Sequence, residues 1–146
     1  MLATAWALKV RVSWFGKHTI FGFPWGWLLR KLGGIPVDRR APQSLVTQMA
    51  ERFRNNDYLV LAVPPEGTRG KVSRWKSGFY HIALQSGVPI ALGYLDYQRK
   101  LAGLGALVTP TGRVTEDMNK IRAFYRDIRG KYPELESEPR LEDENA

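Results

Sequence analysis

The run Val63-Pro64-Pro65-Glu66-Gly67-Thr68-Arg69-Gly70 sets an acid, a flexible turn, a hydroxyl and a guanidinium directly after the apolar stretch Tyr58–Val63. That is the chemistry of an anion site. A guanidinium grips a phosphate through two parallel N–H donors, and a glycine lets the backbone approach a charged ligand closely. Open α/β sheets bind ligands beyond the C-terminal ends of their strands, and this run would sit there if Tyr58–Val63 is a strand. The same residues also read as a plain surface turn, with Pro65 suited to the second position of a type I turn and Gly67 to the fourth.

Such groups need a scaffold to position them. Val10, Val12 and Trp14 alternate with Arg11 and Ser13, the period of a half-buried strand. The Gly, Pro and aromatic segment Phe15–Trp27 leads into a short helix near Trp27–Leu32, which Gly33-Gly34 ends. Ile35-Pro36-Val37 predicts a brief strand at an edge or terminal position, because proline cannot donate to a ladder. Pro42 suits a first helical position, and Val46, Met49, Ala50 and Phe53 recur at helical spacing to about Arg54. The unbroken apolar run Tyr58–Val63 predicts the central buried strand. Ser77 is placed to cap a helix running to Ser86, and Gly87 to stop it. Val88–Leu95 predicts another apolar strand, and Lys100–Thr109 a further strand or hairpin loosened by Gly103 and Gly105. A last amphipathic helix starts near Thr115, with Glu116 and Asp117 in its first turn and Met118, Ile121, Tyr125 and Ile128 repeating along it. Met1–Leu8 reads as a helix that begins with no capping residue before it. Strands alternating with helices predict an α/β fold: a single-domain sandwich with a largely parallel or mixed sheet flanked by helices. Its expected extent is residues 1–132, followed by an acidic, disordered tail over residues 133–146.

Composition narrows the class. The 146 residues suffice for one domain with a proper core, and the absence of cysteine removes disulfides and thiolate-bound metal. Two histidines without a ligand spacing make a zinc site improbable, so no metal is expected. The net charge of +8 conceals a split: Pro133–Ala146 carries six acids against Arg140, leaving +13 on residues 1–132. A field of that sign attracts phosphates, whether on nucleic acid, anionic lipid or a small molecule. Met1–Leu8 is short and lacks a basic leader, which disfavours secretion. The longest uncharged run, Ser77–Leu95, is interrupted by His81, Gln85, Ser86, Gly87 and Pro89, so any membrane contact is expected to be peripheral.

Three ordered blocks now combine. The first is Lys17-His18-Thr19-Ile20-Phe21, continuing through Pro24, Gly26 and Leu29-Arg30 to Gly34-Ile35-Pro36-Val37-Asp38-Arg39. The second is Pro65-Glu66-Gly67-Thr68-Arg69 with Lys76 and Gly78 beyond it, and the third is Gly87-Val88-Pro89-Ile90. In order and spacing they resemble the glycerophospholipid acyltransferase family, whose members move a fatty acyl chain from a thioester to a glycerol hydroxyl; the likeness spans roughly Leu2–Leu95. The resemblance implies an α/β acyltransferase fold of phospholipid biosynthesis. It implies Lys17, Arg39 and Arg69 near the acceptor's phosphate, with Glu66, Gly67 and Thr68 in the same substrate-binding pocket. The implied co-substrate is acyl-CoA or acyl carrier protein, with no cofactor beyond it. The implied partners are a phosphorylated lipid acceptor and an anionic membrane surface, at a cytoplasmic location peripheral to the membrane.

One block of the family pattern is missing. Its His-x-x-x-x-Asp turn, whose histidine takes the proton of the attacking hydroxyl, does not occur here: Phe23 stands five residues after His18, and Ser86 five after His81. Three explanations stand. The sequence is truncated at its start, another residue serves as base with His18 the weak candidate, or the chain binds lipid phosphate without catalysis. His81 reads as a packed or capping residue.

Bland readings accompany each sharp one. Lys17 and Arg39 could be solvated cations; Glu66 reads better as an orienter of Arg69 than as a proton donor, and Asp38 likewise for Arg39 or Arg40. Thr68 suits either a loop cap or a ligand contact. Trp14, Phe15, Phe21, Phe23, Trp25 and Trp27 crowd one region beside Lys17, Arg30 and Lys31, which suits either core packing or a bilayer interface. Trp14 is expected inside, with some of Phe23, Trp25 and Trp27 at a membrane or acyl-chain entrance. A nucleic-acid module is the rival from another class, since the body is basic and aromatic, but the cations are scattered over several elements and no recognition signature occurs.

Overall fold

The alternation read from Val10 to Trp14 forms strand β1 (Val12–Lys17), and this strand, not Tyr58–Val63, holds the centre of the parallel sheet. The computed structural model describes residues 10–37, 42–68, 70–142 and 144, so the helix expected at Met1–Leu8 lies outside the described residues. The chain divides into two compact units, Met1–Val63 and Pro64–Ala146.

In the first unit, β1 is flanked by β2 (Gly34–Val37) and β3 (Val60–Ala62), both parallel to it. The register sets Lys17 opposite Val37, and Trp14 opposite both Gly34 and Ala62. Pro36 lies on an edge strand, as its missing donor requires. The expected central strand is corrected in length, place and burial. Only Val60–Ala62 is strand, it pairs on one side alone, its residues are half-buried, and Tyr58 is exposed. An unbroken apolar run states that a segment is apolar on both faces, not how many neighbours it has.

A 3₁₀ turn (His18–Phe21) and helix α1 (Gly26–Lys31) carry the chain from β1 to β2. Helix α2 (Pro42–Arg54) carries it from β2 to the other side of β1, with Met49 and Ala50 buried on its apolar face. Phe21 pins the first connection. Its ring fills a slot left by two glycines: an added Cβ would stand 2.6 Å from Phe21 Cε2 at Gly16 and 2.8 Å from Cε1 at Gly34. The Trp14 ring packs 6.1 Å from it, while Trp14 donates its backbone N–H to the Gly33 carbonyl and its indole Nε1–H to that of Leu32.

In the second unit, helix α3 (Gly78–Ser86) ends at Gly87 as expected. Ser77 occupies its cap position, but the hydroxyl caps nothing; the Ser77 carbonyl accepts from Tyr80 and His81 instead. Strands β4 (Ile90–Asp96) and β5 (Leu101–Val108) pair antiparallel as a hairpin, and helix α4 (Val114–Tyr125) follows, leaving Ile128 beyond its end. The core comprises Trp75, Tyr80, Leu92, Val108, Met118, Ile121 and Leu141. Asp117, in the first turn of α4, is fully buried rather than facing solvent. Burial alone would raise its carboxyl pKa. Hydrogen bonds from Thr111 N–H, Lys120 Nζ, Tyr80 OH and Thr111 Oγ1 outweigh that and hold it below the usual range.

The acidic end, expected as a solvated, disordered tail, makes specific contacts. Leu141 is fully buried and bridges Trp75, whose N–H donates to the Arg140 carbonyl at 2.6 Å. Arg122 grips Glu144 bidentately at 2.7 and 3.1 Å. Composition reports the acids but not the buried Leu141 and the Arg122–Glu144 pair that help to dock the segment. No helix among the described residues is long and apolar enough to cross a membrane.

Candidate functional site

Parallel strands end on one side, so Lys17, Val37 and Ala62, the last residues of β1, β2 and β3, lie towards the same edge of the first unit's sheet. The connections from β1 run first to one flank and then to the other, and that reversal of winding is where α/β sheets open a crevice for ligands. Lys17 is the last residue of β1; its backbone is placed and its side chain is not described. Arg39 and Arg69 lie outside the described residues, as do Asp38 and Arg40.

The second block is placed in detail within its own unit. Gly67 donates its N–H to the Pro64 carbonyl at 3.3 Å, closing the turn with Pro65 and Glu66 at its centre. Gly67 has φ +69°, a conformation that a side chain would strain. The Thr68 hydroxyl accepts the Gly70 N–H at 3.4 Å, the loop-capping role. Lys76 donates its N–H to the Pro65 carbonyl at 2.9 Å and so fastens the turn to the segment ahead of α3. Glu66 is half-buried, and burial pushes its carboxyl above the usual range. The turn therefore exists as the bland reading has it. Its glycine and its half-buried acid also suit a loop that brings backbone close to an anion.

Neither histidine has an aspartate five residues on. His18 is exposed in the 3₁₀ turn after β1. His81 is half-buried on α3 with its ring edge-on to Tyr80 at 5.8 Å, in keeping with a packed residue. The aromatics split: Trp14 is half-buried and Phe21 buried, whereas Phe23, Trp25 and Trp27 are exposed.

One feature near the block was not legible in the sequence. The acidic end runs beside residues 72–76: Val72 N–H donates to Ser137 Oγ, Arg74 to the Leu141 carbonyl, and Lys76 pairs with Glu142 at 2.5 Å. The segment that anchors the Pro65 turn is thus itself held by the C-terminal residues. Leu135 and Leu141 both stand isolated in the acidic end and only Leu141 is buried, a difference that single apolar residues with no period cannot signal.

Comparison with known proteins places the chain. The family model Acyltransferase matches residues 1–91. The 1-acyl-sn-glycerol-3-phosphate acyltransferases of Limnanthes alba and Limnanthes douglasii are each 33% identical over 91 residues, covering 58% of this chain and 32% of theirs. That of Haemophilus influenzae is 31% identical over 97 residues, covering 62% of this chain and 40% of its own. The chain therefore spans about a third to two fifths of the length of these curated relatives. No solved structure matches. With the family model covering the first two blocks, the third and the whole parallel sheet, the chain belongs to the acyltransferase family, that of the glycerophospholipid acyltransferases.

Proposed function

We propose that this chain binds the substrates of a fatty acyl transfer: acyl-CoA or acyl carrier protein as donor, and a lysophospholipid or related phosphorylated lipid as acceptor. Lys17, Arg39 and Arg69 hold the acceptor phosphate, Glu66 orients Arg69, Gly67 leaves room for the ligand, and Thr68 shapes the loop. The acceptor oxygen attacks the thioester carbonyl carbon, the C–S bond breaks, and the thiol leaves with the proton taken from the hydroxyl. Turnover needs a His-x-x-x-x-Asp base, which these residues do not contain. The work takes place at a cytoplasmic membrane face, where the acceptor resides, with the protein peripheral to the bilayer. The observation that carries this reading is the family match over residues 1–91, which encloses the Glu66–Arg69 block directly after a strand of a parallel sheet. Binding of the lipid phosphate without turnover is the second reading. Thiol release from acyl-CoA in the presence of lysophosphatidate tests both. The expected result is binding but no release by this chain alone, and release once a His-x-x-x-x-Asp segment is joined ahead of it. Release by this chain alone would show that another residue is the base.

A further inference from the structure

The first 37 residues contain Lys9, Arg11, Lys17, Arg30 and Lys31 and not one carboxylate. Within that stretch, the connection from β1 to β2 turns large apolar groups outward: Phe23 is 101% exposed, Trp25 66%, Trp27 61% and Ile20 46%. These are not core residues left over by poor packing. The core position of the connection is already filled by Phe21 in its glycine slot, and Gly26 is buried with its N–H bonded to the Gly22 carbonyl. The connection is therefore anchored from within and bears its rings on the outside. On α1, Trp27 and Lys31 are one turn apart, with the ammonium 5.1 Å from the ring centroid, and Arg30 is exposed beside them.

We infer that the segment Ile20–Lys31 is a bilayer-docking element and that its partner is an anionic phospholipid surface. Phe23 enters below the headgroups, Trp25 and Trp27 sit at headgroup depth where amphipathic rings are favoured, and Arg30 and Lys31 meet lipid phosphates. The exposed cations Arg30 and Lys31 complement such a surface, and no carboxylate within the first 37 residues opposes them. A nucleic-acid partner fits less well, because base stacking needs rings laid along a groove, whereas these project from a turn and a single short helix. The element leaves β1 at Lys17, so docking brings the ligand-binding edge of the parallel sheet towards the lipid. That consequence rests on the proposed acceptor reading; the docking itself does not.

The test is flotation of the full chain with vesicles of equimolar phosphatidylglycerol and phosphatidylcholine, with no thioester or lysolipid present. Phe23→Ser/Trp25→Ser/Trp27→Ser should lower partitioning by about a thousandfold, at roughly tenfold per ring. Arg30→Ala/Lys31→Ala should lower it by about fivefold per charge on these anionic vesicles and leave it unchanged on vesicles of phosphatidylcholine alone. Brominated lipid should quench tryptophan emission in the unaltered chain and much less in Trp25→Phe/Trp27→Phe. All these side chains are exposed, and unchanged melting of each variant confirms that folding is intact. Partitioning of the triple variant within about twofold of the unaltered chain would overturn the inference. So would retention on single-stranded DNA without vesicle binding. Because neither turnover nor acceptor is involved, a chain that floats but shows no affinity for lysophosphatidate refutes the acceptor reading and leaves the docking element standing.

Discussion

Arg122→Ala should release the C-terminal segment, and the structure fixes how much that costs. The Glu144 side chain is 3% exposed and accepts two bonds from Arg122 and one from the Leu141 N–H at 3.2 Å. Burial raises its carboxyl, and the Arg122 bonds reverse that, so the net shift is downward. Removing the guanidinium strands a buried carboxylate, which costs about 3 kcal/mol. For a chain of this size that corresponds to a fall in Tm of roughly 6–12 °C. Glu144→Gln keeps the shape and loses the charge, at about 1–2 kcal/mol. The pH dependence has a definite sign. A folded-state pKa below the unfolded value gives stability that is present above the ordinary carboxylate range and lost as pH falls through the folded value. The gap between the native chain and Arg122→Ala should therefore be full at neutral pH and close below about pH 4. Thermal melts by circular dichroism across that range measure it, and exchange of the Trp75 and Glu142 amides reports the docking of the C-terminal segment locally. A loss under about 0.5 kcal/mol at neutral pH, or a gap that widens in acid, would refute the reasoning.

Other outcomes follow from the packing. Gly16→Ala should destabilise by about 1–3 kcal/mol because the new Cβ meets the Phe21 ring, and Phe21→Leu in that background should recover part of the loss in denaturant titration. Tyr80→Phe removes one of the donors to buried Asp117 and should cost about 1 kcal/mol in the same titration. Asp117→Asn should cost about 2–3 kcal/mol at neutral pH, with the difference shrinking in acid as the native carboxylate protonates through its lowered pKa.

Much of the fold was legible because its signals are local. The helical spacing from Pro42 to Arg54 gives α2, Gly87 stops α3, and the glycine-loosened stretch after Lys100 gives β5. What escaped is what pairing decides. Tyr58–Val63 reads as central because it is apolar throughout, yet β1 takes the centre because both β2 and β3 bond to it. The slot for Phe21 joins Gly16 and Gly34, eighteen residues apart, which no window of sequence connects. The docking of Leu141 and Glu144 is of the same kind. For the site, the sequence supplied the order of the blocks and the turn at Pro64–Gly67, which the hydrogen bonding repeats. It could not supply the geometry among Lys17, Arg39 and Arg69, because that depends on how separate segments meet.

The central claim is that cations following the strands of the parallel sheet bind the acceptor through its phosphate. Equilibrium binding of lysophosphatidate and of the matching monoacylglycerol to the native chain and to Arg69→Ala tests it most directly. The expected result is a loss of about tenfold to a hundredfold in lysophosphatidate affinity with monoacylglycerol binding unchanged. Equal losses for both ligands, or lysophosphatidate affinity within about twofold of native, would contradict it.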